Sequence, residues 1–168
     1  VADRIADLNV WFTGLHPIAV DYQKYPVMPR PFQGFPMQPW DKLPMHLYRV
    51  HNWHCLDDLS QRSPYVVLYT SLNCPYTCSF CNVHTLYGDR KVRYRPLIDI
   101  FHELKYFALR GIRNIKIWDE LFTLDSTRVC QIGDYIIAEG FDFNIWAYAR
   151  VDKVDWPMLL RLKTAGFN

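Results

Sequence analysis

The chain has 168 residues, of which half are hydrophobic and 21% are charged, and its formal net charge is +2. This length suffices for one domain with a sizeable core, and the small net charge gives no indication of nucleic-acid or membrane binding. No apolar run of about 18 residues predicts a membrane span, and no segment of the given sequence resembles a signal peptide, so we expect a cytoplasmic protein. Thiols stay reduced in that compartment, where clustered cysteines more often bind metal than form disulfides.

The first 63 residues lack a regular hydrophobic period. "LNVWFTGLHP", residues 8–17, predicts one short buried strand that ends in a turn. Residues 17–44 are rich in proline and aromatic side chains, which is typical of an extended connector. Val1 in place of Met, and an end at Asn168 directly after the helix-stop residue Gly166, suggest a piece of a longer chain.

From residue 64 onward, strand and helix signals alternate. Buried strands are predicted in "YVVLYTS" (65–71), "NIKIWDELF" (114–122) and "FNIWAYARV" (143–151). Helices are predicted in "PLIDIFHELKYFALRG" (96–111), "DSTRVCQIGDYIIAEG" (125–140) and "DWPMLLRLKTAG" (155–166). Asp125 or Ser126 is the expected cap of the second helix and Asp155 that of the third, and a glycine ends each helix.

Three consecutive strand–helix units predict parallel strands that are apolar on both faces and joined by right-handed crossovers. The expected fold class is α/β, a partial (β/α) barrel of about three units over residues 64–168, preceded by the proline- and aromatic-rich extended segment. Chemistry in such folds sits at the carboxyl ends of the strands. That rule selects residues 74–81, then Asp119 and Glu120, then Arg150 and Asp152.

Three of the five cysteines, Cys74, Cys78 and Cys81, lie within eight positions after the first strand. The spacing C-x3-C-x2-C lets three thiolates converge on one metal centre. Structural zinc sites usually need four protein ligands, and ferredoxin-type clusters usually take a fourth cysteine. Cys55 and Cys130 lack the local spacing for that role. Three ligands leave one metal position open to a small molecule.

The stretch "CPYTCSFC", residues 74–81, matches the C-x3-C-x-Φ-C signature of the radical S-adenosylmethionine enzymes, with Phe80 at the aromatic position. "WDKLPMHLYRVHNWHC", "RYRP", "RNIKIWDELF" and "NIWAYARVD" resemble segments of the cobalamin-associated branch of that superfamily, so the resemblance covers about residues 41–168. In that branch a cobalamin-binding domain commonly precedes the radical core. The resemblance implies a linker and remnant of such a domain over residues 1–63, and the amino-terminal half of the core over residues 64–168.

The resemblance also implies a chemistry. Cys74, Cys78 and Cys81 would bind a [4Fe-4S] cluster, and the amino and carboxylate groups of S-adenosylmethionine would chelate the open iron. One electron from a low-potential donor such as flavodoxin or ferredoxin would cleave the sulfonium to methionine and a 5'-deoxyadenosyl radical. Burial of the loop under Tyr76, Phe80 and Tyr87 would tune the cluster.

Further cofactor contacts follow from the resemblance. "WDELF" stands where the family contacts the amino group of S-adenosylmethionine, so Glu120, with Asp119 beside it, is the candidate there. Arg150 could clamp the cofactor carboxylate, and the alternative is a structural pair of Arg150 with Asp152 or Asp155. The D-x-H-x-x-G pattern that ligates cobalt is absent, so cobalamin is expected only in a longer parent.

Other charged and metal-ligating residues have plainer interpretations. The run Arg90, Lys91, Arg93 and Arg95 is expected to be a solvated face. His51, His54, Cys55 and His84 are expected to pack rather than to bind metal.

Two non-catalytic classes stay open beside the enzyme. One is an iron–sulfur electron-transfer or structural module, with Cys55 or Cys130 as the fourth ligand. The other is a zinc-binding interaction domain. Within the enzyme hypothesis the catalytic residues and the substrate are unknown, because methyl transfer, ring formation and the modification of RNA or of a peptide all occur on this scaffold.

Overall fold

The structure is a computed structural model and describes residues 37–51, 59–83, 87 and 89–168. The predicted strand within residues 8–17 and most of the connector lie outside the described residues, as do His54, Cys55 and His84. Within the described ranges, no helix is long and apolar enough to cross a membrane. The assignment of residues 1–63 and 64–168 to two parts of a larger protein stays a prediction.

The described part of the chain has an α/β architecture with five strands and three α-helices. The strands are β1 (Tyr65–Leu68), β2 (Ser71–Leu72), β3 (Arg93–Tyr94), β4 (Asn114–Ile117) and β5 (Asn144–Trp146). The helices are α1 (Leu97–Leu109), α2 (Ser126–Ala138) and α3 (Trp156–Thr164). β1, β4 and β5 form a parallel sheet with β4 in the centre, whereas β2 and β3 pair antiparallel. The three predicted parallel strand–helix units are confirmed, and closure into a barrel stays a prediction.

Local signals set the ends of the helices. The Asp125 side chain accepts a hydrogen bond from the Arg128 N–H at 3.0 Å and caps α2. Asp155 caps α3 in the same way through the Met158 N–H at 2.8 Å. Because a side-chain oxygen satisfies an otherwise unpaired N–H of the first helical turn, each cap marks where its helix begins. Both predicted caps are therefore confirmed.

The glycine after α3 also redirects the chain into the sheet. Gly166 has φ +91°, and a Cβ at this position would lie 2.2 Å from the backbone oxygen of Phe143, so only glycine fits. The Ile145 N–H donates to the Gly166 carbonyl at 2.8 Å, and the Asn168 N–H donates to the Ile145 carbonyl at 3.0 Å. Phe167 thus bridges in parallel to Ile145 at the free edge of β5.

Side chains of the parallel sheet alternate between two faces. One face is apolar and builds the core with α1, α2 and α3; its strand residues are Val66, Leu68, Ile115, Ile117 and Ile145. The opposite face, which we call the open face, carries Tyr65, Val67, Asn114, Lys116, Asn144 and Trp146. The prediction of strands apolar on both faces is therefore wrong. In the described part of the chain, all three helices pack against the apolar face. The helices therefore do not cover the polar side chains on the other face.

Three asparagine side chains cross the amino-terminal end of the open face. Asn168 Nδ2 donates to Asn144 Oδ1 at 2.8 Å, and Asn144 Nδ2 donates to Asn114 Oδ1 at 2.9 Å. Asn114 Nδ2 then donates to the backbone oxygen of Gln61 at 2.6 Å. In each of these hydrogen bonds the later residue donates to the earlier one. We call this series the amide ladder, and it connects neighbouring strands through side chains.

Trp40, from the end of the predicted connector, belongs to the core. Its ring lies edge-on to Phe107 of α1 with 5.6 Å between centroids. Its indole N–H donates to Glu103 Oε1 at 2.8 Å, and Glu103 Oε2 accepts from Arg95 Nη1 at 2.8 Å. Arg95 is thus a buried ion-pair partner, so its prediction as part of a solvated face is wrong. The buried Glu103 provides the negative charge that lets a cation lie here.

Candidate functional site

The carboxyl ends of β1 and β4 are joined by the Asp119 carboxylate. Oδ1 accepts from the Thr70 N–H at 2.7 Å, and Oδ2 accepts from the Thr70 hydroxyl at 2.5 Å and the Ser71 hydroxyl at 2.6 Å. Asp119 is 1% exposed, and this burial raises its pKa, although the three donors act in the opposite direction. The carboxylate therefore holds residues 70 and 71, which lead into the segment with the cysteines, against the end of β4.

The cysteine loop, residues 73–92, is closed at its base by the β2–β3 pair, in which Ser71 lies opposite Tyr94. Asn73 begins the loop with φ 75°, a left-handed conformation that asparagine tolerates better than most residues. Its Nδ2 donates to Asp89 Oδ1 at 3.0 Å and to the Lys91 carbonyl at 3.2 Å, and its Oδ1 accepts from the Cys74 N–H at 2.8 Å. One side chain thus ties both ends of the loop together.

Glu120 joins the carboxyl end of β4 to the same loop. Its Oε2 accepts from the Asn73 N–H at 2.9 Å, and its Oε1 accepts from the Tyr87 hydroxyl at 2.8 Å. Burial, and then this hydrogen bond, raise the pKa of Tyr87, so the phenol stays a donor. Each carboxylate oxygen has a further lone pair, which leaves Glu120 able to accept from another donor.

Arg150, after β5, reaches the cysteine loop. Its Nη1 lies 3.6 Å from Cys78 Sγ, and its guanidinium lies 4.0 Å from the centre of the Tyr76 ring. Nε and Nη2 form a forked ion pair with Asp152 at 2.9 and 3.0 Å, the structural alternative expected from the sequence. This hydrogen-bonded pair raises the pKa of Arg150 and lowers that of Asp152.

The donor set of the loop suits a thiophilic metal centre. Cys74 and Cys78 are half-buried, Cys81 is exposed, and all three are free thiols. The Cys81 N–H donates to the Cys78 carbonyl at 3.0 Å, which brings the backbones of two of them together. Among the described residues, no three His, Cys, Asp or Glu side chains already lie close enough to hold a metal ion. Three reduced cysteines on one loop fit a cluster in the chemistry of their donors.

The cysteine loop is less covered than the sequence suggested. Tyr76 and Tyr87 are half-buried, whereas Phe80 is 92% exposed. The prediction that Phe80 helps to bury the loop is therefore wrong in this structure. Within the described ranges, Cys130 lies on α2 facing the groove beside α3 and belongs to no group of metal-ligating side chains.

The structure thus brings the predicted site residues to one edge of the sheet. Asp119 and Glu120 contact the segment that leads into Cys74, and Arg150 contacts Cys78. Sequence reasoning missed Asn73 and Tyr87 as partners of these residues. The available signal was Asn73 itself, because asparagine before a loop is typical of a left-handed turn.

Comparisons with known proteins show the fold of this chain and one distant relative. No protein-family model matches the chain. It is 29% identical over 143 residues to an uncharacterised methyltransferase of Pyrococcus horikoshii. The match covers 82% of this chain and 29% of that relative. The chain therefore spans less than a third of the curated relative it matches.

Two solved structures of the radical S-adenosylmethionine methyltransferase TsrM from Kitasatospora setae share the fold. One, with cobalamin and a [4Fe-4S] cluster bound, has a TM-score of 0.55 and 22% identity, covering 64% of this chain and 22% of that chain. The other, with tryptophan substrate and the analogue aza-SAM bound, has a TM-score of 0.54 and 21% identity, covering 62% of this chain and 21% of that chain. The similarity supports the α/β architecture described above.

Proposed function

We propose that this chain is part of an S-adenosylmethionine-dependent enzyme of the radical type, with a [4Fe-4S] cluster held by Cys74, Cys78 and Cys81. The observation that carries the proposal is the position of the cysteine loop, which is tied by Asn73 to Glu120 at the carboxyl edge of a parallel sheet. Site residues gather at this edge in βα folds. The Pyrococcus horikoshii relative and TsrM are both methyltransferases by name, which favours methyl transfer among the reactions left open by the sequence.

The residues at the edge have distinct proposed roles. Glu120 has a free lone pair on each oxygen and would accept a hydrogen bond from the amino group of S-adenosylmethionine. Asp119 is a positioning residue, because its oxygens already accept from Thr70 and Ser71. A direct contact of Asp119 with the cofactor stays a prediction.

Arg150 carries the positive charge nearest to the cysteines among the contacts described. Its ion pair with Asp152 fixes the guanidinium beside Cys78, where it would attract the carboxylate of the cofactor or the anionic cysteine sulfur. When bound, a [4Fe-4S] cluster supplies the electron that cleaves S-adenosylmethionine to methionine and a 5'-deoxyadenosyl radical. A low-potential flavodoxin or ferredoxin is the proposed electron donor, and cobalamin is proposed only for a longer parent.

Anaerobic reconstitution tests this function. The chain is incubated with iron and sulfide, reduced with dithionite, and examined by electron paramagnetic resonance with and without S-adenosylmethionine. We expect a reduced-cluster signal whose g values change when S-adenosylmethionine is added. Alanine at Cys74, Cys78 or Cys81 is expected to lower the iron and sulfide content severalfold, whereas Cys130→Ala is the matched control and keeps both.

Three other outcomes of this experiment would contradict the proposal or its assignment of the ligands. A cluster signal that S-adenosylmethionine does not change overturns the proposal in favour of an electron-transfer or structural module. Loss of iron in Cys130→Ala or in Cys55→Ala would then identify the fourth ligand. Bound zinc without iron or sulfide overturns it in favour of a zinc-binding interaction domain. Equal iron content in Cys78→Ala and in the unsubstituted chain contradicts the assignment of the ligands.

A further inference from the structure

Lys116 lies on β4 with its side chain on the open face, and it is 8% exposed. Its Nζ lies 3.8 Å from the ring centre of Trp118, 4.1 Å from that of Trp146 and 5.0 Å from that of Tyr148. It also donates a hydrogen bond to the Tyr148 hydroxyl at 3.2 Å. A lysine ammonium is thus surrounded by three aromatic rings in the middle of the parallel sheet.

No negative charge neutralises this ammonium in the described part of the chain, where the ion pairs involve other cations. Arg95, which is equally buried, is paired directly with Glu103. Aromatic ring faces attract a cation, but they carry no net charge. Because burying a charge is costly unless it is paired, the position favours an anion that comes from a bound molecule.

Exposed aromatic side chains continue the open face toward the cysteine loop. Tyr69, Trp118 and Tyr148 follow the ends of β1, β4 and β5 and are 37%, 41% and 42% exposed. Trp146 and Tyr148 contact each other edge-on at 4.9 Å. Rings exposed in this way can stack with a planar molecule, and the ammonium of Lys116 lies against two of the three.

We propose that the open face binds a small planar aromatic molecule that carries a carboxylate, with the carboxylate paired to Lys116 and the ring against Trp118 and Tyr148. The positive charge of Lys116 favours a ligand with a negative charge, and the exposed rings favour a ligand with an aromatic ring. The Tyr148 hydroxyl oxygen accepts a hydrogen bond from the ammonium and orients it. As the substrate class of the enzyme, this inference rests on the proposed function; as a binding site, it needs no cluster.

Binding of 2-naphthoate and of its uncharged amide, 2-naphthamide, tests the site. Both are titrated into the chain without iron, by calorimetry and by observing the ¹⁵N resonance of the Lys116 ammonium. We expect 2-naphthoate to bind at least about tenfold more tightly, because the amide carries no negative charge to pair with the buried ammonium. In Lys116→Met, which keeps the length of the side chain, the preference is expected to fall to within about twofold.

Lys105→Met is the matched control, because Lys105 is a surface lysine on α1 whose side chain is 55% exposed, and it keeps the preference. Equal affinity for the acid and the amide, no binding of either, or a preference that survives in Lys116→Met overturns the inference. If Lys116→Met fails to fold, the test uses the ¹⁵N resonance of Lys116 in the unsubstituted chain. We expect this resonance to shift when the acid is added and not when the amide is added, and any other result contradicts the inference. Naphthoate binding without a cluster on reconstitution refutes the proposed function alone, and a cluster without binding refutes this inference alone.

Discussion

Replacing Asp119 separates its structural role from its charge. In Asp119→Ala the Thr70 N–H and the hydroxyls of Thr70 and Ser71 lose their acceptor, and both residues are buried. An unsatisfied buried N–H costs about 1–3 kcal/mol, and hydroxyls that can rotate cost less. The alanine variant no longer has the cost of burying a carboxylate, which offsets part of this loss. We therefore expect the free energy of unfolding to fall by about 3 kcal/mol.

Asparagine at the same position can keep all three contacts. Its amide oxygen can accept from the Thr70 N–H, and its amide nitrogen can donate to the two hydroxyl oxygens. We therefore expect Asp119→Asn to change the free energy of unfolding by no more than about 1 kcal/mol. Asp134→Ala, which removes an exposed partner of Arg161, is the control and should cost less than about 1 kcal/mol.

The pKa of Asp119 adds a pH dependence with a definite sign. Because burial raises this pKa above 3.8, the folded chain holds the proton more tightly than the unfolded chain does. The stability contributed by that proton is fully present below pH 3.8 and is lost as the pH rises through the folded pKa. The stability of the unsubstituted chain relative to Asp119→Asn should therefore increase when the pH is lowered from neutrality.

Urea denaturation followed by circular dichroism at a series of pH values measures these differences. The reasoning is refuted if Asp119→Asn is as unstable as Asp119→Ala, because the charge and not the hydrogen-bond geometry would then hold the strand end. It is also refuted if the difference between the unsubstituted chain and Asp119→Asn shrinks as the pH falls.

Substitutions at Gly166 and at Trp40 probe the fold. Gly166→Ala should lower the free energy of unfolding by about 3 kcal/mol, because the new Cβ would meet the Phe143 oxygen. Gly111→Ala is the control and should lower it by about 1 kcal/mol, because no atom lies within 4 Å of the new Cβ. Equal urea midpoints for the two variants would contradict this account. Trp40→Phe should cost about 1–2 kcal/mol through the lost hydrogen bond to Glu103, and Trp40→Ala about 3–5 kcal/mol; a Trp40→Ala chain as stable as the unsubstituted one would show that Trp40 is not part of the core.

The order of strands and helices could be predicted because its signals are local. Asp125 and Asp155 cap helices through N–H groups only three residues away, and a glycine of positive φ follows each helix. The β2–β3 pair could not be predicted, because two-residue strands show no periodicity and lie about twenty residues apart in the chain. Its existence depends on how the cysteine loop closes.

The candidate site was predictable in location but not in its contacts. The carboxyl ends of parallel strands meet at one edge, which places Asp119, Glu120 and Arg150 near the cysteines. The contact of Glu120 with the Asn73 N–H depends on a left-handed φ that the sequence only permits. Lys116 was missed because "NIKIW" reads as a buried strand, and whether a face is covered depends on distant elements.

The amide ladder at the amino-terminal end of the sheet has a consequence for how such a protein can change during evolution. Asn168, Asn144 and Asn114 connect neighbouring strands by side-chain hydrogen bonds, and a slip of one residue would turn these side chains to the other face. Strand register is thus specified at the end of the sheet opposite the cysteine loop. Substitutions at the carboxyl ends can therefore alter specificity while the alignment of the strands is retained, so new substrates can be selected on an unchanged frame.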